Sequence, residues 1–338
     1  MRWRLAEDDD GQGALFEEEI ERHIGKGEFR GMEFLHVNAR TIINEIPKAS
    51  LLPFRWTINA YRGCSHSCSY CFARPTHTYL DMNAGEDFER KIVVKVNAVE
   101  RLRAELHPSR WAGEHIAMGT NTDPYQRCEG KYHLTRGIVE VLAEHANPFS
   151  ILTKSTLILR DLDVLTEAAQ RADVRANFSI GTLDEEVWRT SEPGTPHPQR
   201  RTEAVARLNE AGIPTGVLVA PVLPGLSDRP DQLEEVVKAC VDAGAVSISP
   251  ILLHLRPGVK EEYMPWLEKT RPDLVPLYDE LYPGSYAPKA RQRELSRLVS
   301  RLVARHGGTA VAPTQARHTP PPAPRTRKPD QLGLGLGL

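Results

Sequence analysis

Short β-branched runs alternate with longer amphipathic segments through the middle of the chain. The short runs predict six strands, and the segments between them, with apolar residues at helical spacing, predict five helices. Strict alternation of strands and helices is typical of βα units whose strands run parallel in one sheet. The strands are predicted at 57–61, 115–119, 149–153, 175–180, 215–220 and 247–252, and the helices at 94–106, 135–144, 161–171, 200–211 and 232–243.

Polar residues recur just after the carboxyl ends of the predicted strands. In a parallel barrel these ends form one rim on which sites are built. A doubly wound sheet also fits the alternation, but the recurring polar positions favour an α/β fold built as an incomplete parallel (β/α)6 barrel of the TIM type. The polar positions are Thr122, Asp123, Lys154, Ser155, Ser179, Thr182 and Asp228.

The two ends of the chain differ in composition from the middle. Residues 1–28 are acidic and poor in apolar residues, which predicts a flexible lead-in. Residues 29–50 are predicted to be an extension that packs on a barrel of residues 51–285. A basic helix is expected at 286–308, and the Pro-rich tail at 309–338, which ends in a Gly-Leu repeat, is predicted to be disordered.

Charge and hydropathy narrow the choice of partners. The chain has 43 basic and 45 acidic residues, so its overall field does not attract nucleic acid. From residue 286 onward, however, the chain has ten basic residues and only two acidic ones, which fits either a solvated helix and tail or a patch for phosphate contacts.

No run approaches the roughly 18 apolar residues of a membrane span, and the first eleven residues form no signal core. We expect a cytoplasmic protein without a membrane partner.

Three of the five cysteines lie within eight residues, at Cys64, Cys68 and Cys71, with the spacing C-x3-C-x2-C. This clustering and the odd total argue against a disulfide scaffold and for metal or redox chemistry. Three thiolates are too few for a closed zinc site unless His66 or His77 supplies the fourth ligand. They are the right number for a 4Fe-4S cluster with one iron open to a small molecule. The spacing favours the cluster and leaves zinc as the alternative.

The same spacing, with an aromatic residue before the third cysteine and a strand before the motif, resembles the radical S-adenosylmethionine superfamily. The resemblance implies that Cys64, Cys68 and Cys71 hold a 4Fe-4S cluster, whose open iron binds the amino and carboxylate groups of S-adenosylmethionine. It also places Tyr70 beside the adenine. Reductive cleavage then yields a 5′-deoxyadenosyl radical that abstracts hydrogen from the substrate, and a reductant of the flavodoxin or ferredoxin type is an implied partner.

Further motifs resemble the spore photoproduct lyase-like branch, a group of DNA repair enzymes. By this resemblance Thr122 and Asp123 hold the methionine or ribose part of the cofactor, and Lys154 and Ser179 contact its polar groups, with Thr182 alongside. From the residues alone, Thr-Asp-Pro is also a common turn opener, and a rim Ser or Thr also satisfies backbone groups. The motifs are Asn59-x-Tyr-x-Gly-Cys64, Thr122-Asp-Pro-Tyr-Gln126, Leu152-Thr-Lys-Ser155 with Arg160-Asp161, Glu192-Pro193, and Ala220-Pro-Val-Leu-Pro-Gly-Leu-Ser-Asp228.

One departure from that branch concerns the return of hydrogen to the product radical. Spore photoproduct lyases carry a cysteine at the end of the second strand, where this chain reads Gly119-Thr-Asn-Thr-Asp123. Cys128, five residues beyond Asp123, is the candidate catalytic cysteine, and Tyr61, Tyr125 and Tyr132 are further candidate hydrogen donors. A lone cysteine or aromatic residue is more often part of the core.

Three functions remain open from the sequence. The first is a lyase-like radical enzyme that repairs DNA lesions, and the second is the same chemistry on an RNA, a peptide or a metabolite. The third is a zinc-stabilised nucleic-acid-binding protein without catalysis. The terminal Gln331-Leu-Gly-Leu-Gly-Leu336 resembles the short peptide by which bacterial repair enzymes dock on the DNA sliding clamp, or else is a low-complexity end.

Overall fold

The computed structural model describes residues 20–47, 50 and 52–309, and elements are numbered in chain order within them. The strands are β1 (Glu21–Ile24), β2 (Glu33–Val37), β3 (Ile43–Glu45), β4 (Trp56–Ile58), β5 (Tyr61–Arg62), β6 (Lys91–Lys95), β7 (Ile116–Met118), β8 (Phe149–Thr153), β9 (Val174–Ser179), β10 (Thr215–Val222) and β11 (Ile248–Leu252). The helices are α1 (Glu86–Arg90), α2 (Ala98–Glu105), α3 (Glu129–Tyr132), α4 (Leu134–Glu144), α5 (Leu162–Arg171), α6 (Glu185–Ser191), α7 (Pro198–Glu210), α8 (Pro230–Asp242), α9 (Lys260–Thr270), α10 (Val275–Leu281) and α11 (Lys289–Arg305).

Seven strands form the larger sheet, in the order β11-β10-β9-β8-β7-β4-β3. The six strands from β4 to β11 in this sheet run parallel, and β3 is added antiparallel to β4 at one edge. Each of the six corresponds to a predicted strand, so the prediction of an α/β fold with a parallel sheet is confirmed. Within the described residues no hydrogen-bonded ladder joins the edge strands β3 and β11.

Helices α4, α5, α7 and α8 connect successive parallel strands and bury one face each. Their apolar residues, among them Val139, Leu165, Leu208 and Val236, join one core with the strand residues. Helix α7 begins with a proline at its first position, and Gly212 follows its end with a φ of +80°. These are residues that start and stop a helix at low energetic cost, so the local sequence and the packing agree.

A second sheet of four strands, in the order β1-β2-β6-β5, was not predicted. Strand β6 occupies the start of the helix predicted at 94–106, and α2 begins only at Ala98. The prediction was wrong there because Ile92, Val93 and Val94 are all fully buried, and an apolar run without alternation does not distinguish a strand from a helix. The strand predicted at 57–61 is likewise divided, since β4 ends at Ile58 and β5 belongs to the second sheet.

The terminal segments also differ from the prediction in part. Strand β1 lies inside the segment predicted as a flexible lead-in, because its mostly exposed side chains leave no periodic pattern and its order comes from pairing with β2. Helix α11 falls inside the predicted 286–308 and packs through Leu295 and Val299 against the core. No described helix is both long and apolar enough to span a membrane. Residues 1–19 and 310–338, including the clamp-like motif, lie outside the described residues.

Candidate functional site

The three clustered cysteines lie on the loop that follows β5. Gly63 opens the loop with a φ of +80°, and a Cβ there would come within 2.8 Å of the Phe88 carbonyl oxygen. Only glycine fits this turn, since it combines a left-handed conformation with a close backbone contact. The amide of Cys64 donates to the same Phe88 oxygen at 2.9 Å. A Cβ at Gly194 would lie 2.3 Å from the Ser65 carbonyl oxygen, so a second glycine lets the chain pack on this loop.

The thiols of the loop are held away from water. Cys64 and Cys68 are buried and Cys71 is half-buried. Burial raises the pKa of all three thiols, and the charge of Asp123 adds to the effect at Cys64 and that of Glu192 at Cys68. Without a cation the thiols are therefore neutral at pH 7. Because only the thiolate is a strong metal ligand, this loop gains its negative charge together with a metal.

The positions of the ligand atoms distinguish between zinc and a 4Fe-4S cluster, the two metal sites that the sequence leaves open. The three sulfur atoms do not all lie within 4.8 Å of one another, nor do any two of them with a described histidine or carboxylate. A tetrahedral zinc ion, with Zn–S bonds of 2.3 Å, requires sulfur atoms about 3.8 Å apart. His66 faces Asp123 through Nδ1 at 3.4 Å, and His77 contacts the Lys91 carbonyl oxygen through Nε2 at 3.0 Å. Three spread thiols without a fourth ligand fit an iron-sulfur cluster with one open iron.

Neutral side chains position one side of the loop. Thr122 donates its hydroxyl to the Gly63 carbonyl oxygen at 2.6 Å, and Gln126 Nε2 donates to the same oxygen at 3.0 Å. The Gln126 side-chain oxygen Oε1 accepts from the Ser65 amide at 3.0 Å. Asn59, which follows the last residue of β4, accepts through Oδ1 from the Asn121 amide at 3.1 Å. This bond connects the end of β4 to the segment that contains Thr122. We call Asn59, Thr122 and Gln126 the neutral side of the loop.

Arg74 anchors the loop from another direction, and the sequence reasoning missed this role. Its buried guanidinium donates to the Cys68 carbonyl oxygen from Nε at 3.1 Å and from Nη2 at 2.9 Å. It also donates to the Ala84 carbonyl oxygen at 3.0 Å and pairs with Glu89. The only sequence signal is an arginine three residues after Cys71, which by itself reads as an exposed charge.

Asp123 joins the loop after β7 to the end of β8. One carboxylate oxygen accepts from the Thr153 hydroxyl at 2.6 Å and the Tyr125 amide at 2.9 Å. The other accepts from the Lys154 amide at 2.7 Å and faces His66 Nδ1 at 3.4 Å. Burial lowers the pKa of His66 to about 4, so the ring is neutral at pH 7. Both oxygens of the Asp123 carboxylate therefore have partners within the protein. The Lys154 ammonium is not one of them, since it lies near Glu192.

The ammonium of Lys154 belongs to a buried charged group beside Cys68. Its Nζ lies 3.4 Å from Glu192 Oε1 and 5.5 Å from the centre of the Tyr70 ring. Glu192 also accepts from the Tyr70 hydroxyl and pairs with Arg201, which is 1% exposed. Burial lowers the pKa of Lys154 to about 8, and the nearby charge of Arg201 acts in the same direction. We call Tyr70, Lys154, Glu192 and Arg201 the charged side of the loop.

Ser179 and Thr182 lie at the end of β9, next to the charged side. The Ser179 carbonyl oxygen accepts from Arg201 Nη1 at 3.1 Å, so its backbone contributes to that group. The Thr182 hydroxyl oxygen accepts from the Asp184 amide at 3.0 Å, which is the backbone-satisfying role that the sequence allowed. A Cβ at Gly181 would lie 2.6 Å from the Pro221 carbonyl oxygen, so the ends of β9 and β10 pack tightly here.

The three predicted catalytic residues lie deeper in the core. Tyr61, Tyr125 and Cys128 are all fully buried, and burial raises the pKa of each. The Tyr61 hydroxyl donates to Glu129, a buried carboxylate that also accepts from Arg160 Nη2 at 2.9 Å. A role in hydrogen transfer stays a prediction for these three residues. Tyr132, the further candidate, contacts His36 Nε2 with its hydroxyl at 2.8 Å.

Comparison with known proteins places this site in a family. The sequence profile of the Radical SAM superfamily matches residues 58–257, which contain the cysteine loop and both of its sides. An uncharacterized protein of Mycobacterium tuberculosis is 44% identical over 286 residues, 84% of each chain. A protein of Pseudomonas phage M6, named a radical SAM Nalpha-GlyT isomerase, is 27% identical over 171 residues, 50% of this chain and 33% of its own.

A solved structure shares the fold. It is a mutant of spore photoproduct lyase with bound AdoMet and dinucleoside spore photoproduct, with a TM-score of 0.58 and 19% identity over 78% of this chain and 77% of that one. The family match confirms the resemblance of the cysteine motif to the radical SAM superfamily, and the solved structure shows that the fold is shared. The chain belongs to the radical SAM superfamily, whose cofactors are a 4Fe-4S cluster and S-adenosylmethionine.

Proposed function

We propose that this protein cleaves S-adenosylmethionine at a cluster held by Cys64, Cys68 and Cys71, and acts on damaged DNA as a photoproduct lyase-like repair enzyme. The observation that carries the site assignment is the buried loop of three spread thiols, which has no fourth ligand and faces Lys154 across Tyr70. When bound, the cluster and S-adenosylmethionine together supply the 5′-deoxyadenosyl radical that abstracts hydrogen from the substrate. We take the parallel strands as an incomplete (β/α)6 barrel around this loop.

The neutral side keeps the cysteine loop in one conformation. Thr122 and Gln126 together saturate the Gly63 carbonyl oxygen, and Gln126 also occupies the Ser65 amide. The loop therefore does not have to be ordered when the cofactors bind, which favours binding. Thr122 is thus a positioning residue for the cysteine loop, and this is the role we propose instead of a direct cofactor contact.

The charged side is suited to the amino-acid end of S-adenosylmethionine. Lys154 and Arg201 carry two positive charges beside the carboxylates of Glu192 and Asp123, and a ligand carboxylate would accept a hydrogen bond from the Lys154 ammonium. Among the described residues, the Lys154 ammonium contacts Glu192 at 3.4 Å and the Ala220 carbonyl oxygen at 3.5 Å, and these long contacts allow a shorter one to a ligand. Tyr70 lies under it as the wall that the resemblance places beside the adenine. Asp123 acts as a positioning residue, because its oxygens are already engaged.

The nucleic-acid substrate is supported by the named relatives and by charge. The solved lyase with the shared fold binds a dinucleoside photoproduct in its structure. On the surface of α11, Arg293, Arg297 and Arg301 lie near one another and near Glu294, and the three arginines make no ion pair within the described residues. Their spacing of four residues places three guanidinium groups on one face, which suits a phosphate backbone. A catalytically silent zinc protein is disfavoured because the sulfur atoms are too far apart for a tetrahedral zinc ion.

Two partners follow from this function. A flavodoxin or ferredoxin would supply the electron, as the superfamily requires a reductant. The terminal Gln331-Leu-Gly-Leu-Gly-Leu336, outside the described residues, would dock on the DNA sliding clamp and hold the enzyme near its substrate. A fluorescence titration of peptide 329–338 against that clamp tests the second partner, with Gln331, Leu334 and Leu336 changed to Ala as the control peptide. Equal binding of both peptides would remove the clamp from the proposal.

The function is tested by a substrate screen with anaerobic, cluster-loaded protein. Deoxyadenosine formation is measured with ultraviolet-damaged DNA, undamaged DNA of the same sequence, RNA and a peptide pool. We expect damaged DNA to raise deoxyadenosine formation above the rate without substrate and to yield repaired thymines by mass spectrometry. Stimulation by RNA or peptide alone would move the substrate to that class, and no stimulation by any nucleic acid would refute the repair function.

A further inference from the structure

We propose that Glu21, His23 and His36 form a zinc site on the β1–β2 hairpin, separate from the cysteine loop. One ligand atom from each residue lies within 4.8 Å of the other two. Among the described residues this is the single group of three or more His, Cys, Asp or Glu side chains at such a spacing. We call these three residues the hairpin site.

The register of the hairpin brings the three side chains together. Glu21 is directly opposite His36 in the antiparallel pair, and His23 is two residues from Glu21 on the same strand. Because side chains alternate along a strand, all three project from one face of the hairpin. The rings of His23 and His36 are 3.9 Å apart between centroids. The ligand set is therefore built into the strand pairing and does not depend on a loop.

One polar atom of the hairpin site lacks a hydrogen bond. Nε2 of His23 is shielded from solvent and makes no hydrogen bond, although Glu21 Oε1 is 3.0 Å away. This nitrogen and this carboxylate oxygen are close to each other without forming a hydrogen bond, which is the arrangement of two ligand atoms that bind the same cation. Nε2 of His36 contacts the Tyr132 hydroxyl at 2.8 Å, and a polar partner on one ring nitrogen is the usual orientation of a metal-binding histidine.

The donors point to zinc. Two imidazoles and one carboxylate suit zinc, whereas calcium and magnesium prefer oxygen ligands alone. Three protein ligands leave one position for water. Strand β2 pairs with β6, and β6 pairs with β5, which ends one residue before Gly63. A zinc ion here would cross-link β1 to β2 at the edge of the sheet from which the cysteine loop emerges.

The test uses full-length, cluster-loaded protein equilibrated with zinc in a chelator buffer under anaerobic conditions. Zinc and iron are measured by mass spectrometry, and zinc ligands by X-ray absorption, which separates Zn–N and Zn–O bonds of 2.0–2.2 Å from Zn–S bonds of 2.3 Å. We expect one zinc per chain with nitrogen and oxygen ligands only. His23→Ala, His36→Ala and the milder Glu21→Gln should each weaken zinc binding at least about tenfold with iron content unchanged. His107→Ala, which alters an exposed histidine bonded to Ser109, is the matched control.

Two results would overturn the hairpin site. The first is zinc uptake that is absent, or equal in the parent protein, His23→Ala and Glu21→Gln. The second is zinc with sulfur ligands, which would place the ion on the cysteines. The same measurements on protein with alkylated thiols make the outcome independent of the cluster, so the hairpin site and the proposed function can fail separately.

Discussion

The two sides of the cysteine loop are built from different chemistry. On the neutral side, Thr122 and Gln126 make direct hydrogen bonds of 2.6 to 3.0 Å to the loop backbone. On the charged side, Lys154, Glu192 and Arg201 are buried together, and the lysine contacts are longer. Neutral hydrogen bonds hold a backbone without the large desolvation penalty of buried ions. A buried ammonium with no partner closer than 3.4 Å among the described residues suits an anionic ligand. The difference indicates that one side positions the loop and the other receives the cofactor.

Breaking the charged side should have the largest effect on folding. Arg201→Met leaves the buried carboxylate of Glu192 without its main partner, and removal of one member of a buried pair typically costs about 3–5 kcal/mol. Denaturant unfolding should show this loss. Arg200→Met changes the exposed neighbour on the same helix and should stay within about 0.5 kcal/mol of the parent. Equal losses in the two variants would contradict the role of the charged side.

Removing the lysine should separate cofactor binding from cluster assembly. Lys154→Met should weaken S-adenosylmethionine binding about 10- to 100-fold, because a hydrogen bond to a charged group contributes about 1.5–3 kcal/mol. Iron content should not change, since Lys154 supplies no thiolate. Calorimetry on the anaerobic protein measures the affinity, and Lys238→Met, an exposed lysine paired with Asp242, is the control. Unchanged affinity in Lys154→Met would exclude this lysine from the cofactor site.

On the neutral side, Gln126→Ala should loosen the loop. The change removes bonds to the Gly63 carbonyl oxygen, which keeps the Thr122 hydroxyl, and to the buried Ser65 amide, which is left unpaired at a cost of about 1–3 kcal/mol. Denaturant unfolding measures the loss, and release of iron to a chelator should become faster. Gln199→Ala, on the exposed start of α7, should show neither effect. Iron release at the parental rate would show that Gln126 does not position the loop.

The smallest expected effect concerns a buried lysine outside both sides. Burial lowers the pKa of Lys95 from 10.5 to about 7, with Arg62 adding to the shift. The folded protein therefore loses this proton before the unfolded chain does, and stability should rise with pH between about 7 and 10.5. Lys95→Met should raise the free energy of unfolding by about 1–2 kcal/mol at pH 6, and the gain should shrink above pH 7. Lys269→Met, at an exposed position, should give a gain near zero, and an equal gain at pH 6 and pH 10 would contradict the prediction.

The sequence was sufficient for the parallel sheet and for the cysteine loop. Six strands were recognisable because amphipathic helices separate successive strands, and the cysteine spacing is a local property. The second sheet was missed for a physical reason. Strand β6 is buried on both faces and shows no alternation, while β1 is mostly exposed and shows no apolar pattern. Both depend on pairing partners distant in the chain.

The site residues show a similar limit. The resemblance assigns Asp123 and Lys154 to the cofactor, which stays a prediction, and it did not indicate that the Asp123 carboxylate accepts from the Thr153 hydroxyl and the Lys154 amide. Arg201 was missed because its position in the first turn of α7 resembles that of the exposed Arg200, and only packing against Ser179 and Glu192 buries it. Residue type and spacing identify a rim, whereas the partner of each side chain depends on the tertiary structure.

The most direct test of the account is the iron and sulfide content of the three cysteine variants. Cys64→Ala, Cys68→Ala and Cys71→Ala, reconstituted anaerobically, should each lose the 4Fe-4S cluster and the reductive cleavage of S-adenosylmethionine, because each leaves one iron without its thiolate. Cys240→Ala removes a buried thiol of α8 and should retain four irons per chain and full cleavage. A Cys68→Ala protein with a full cluster and full cleavage would contradict the assignment of the loop.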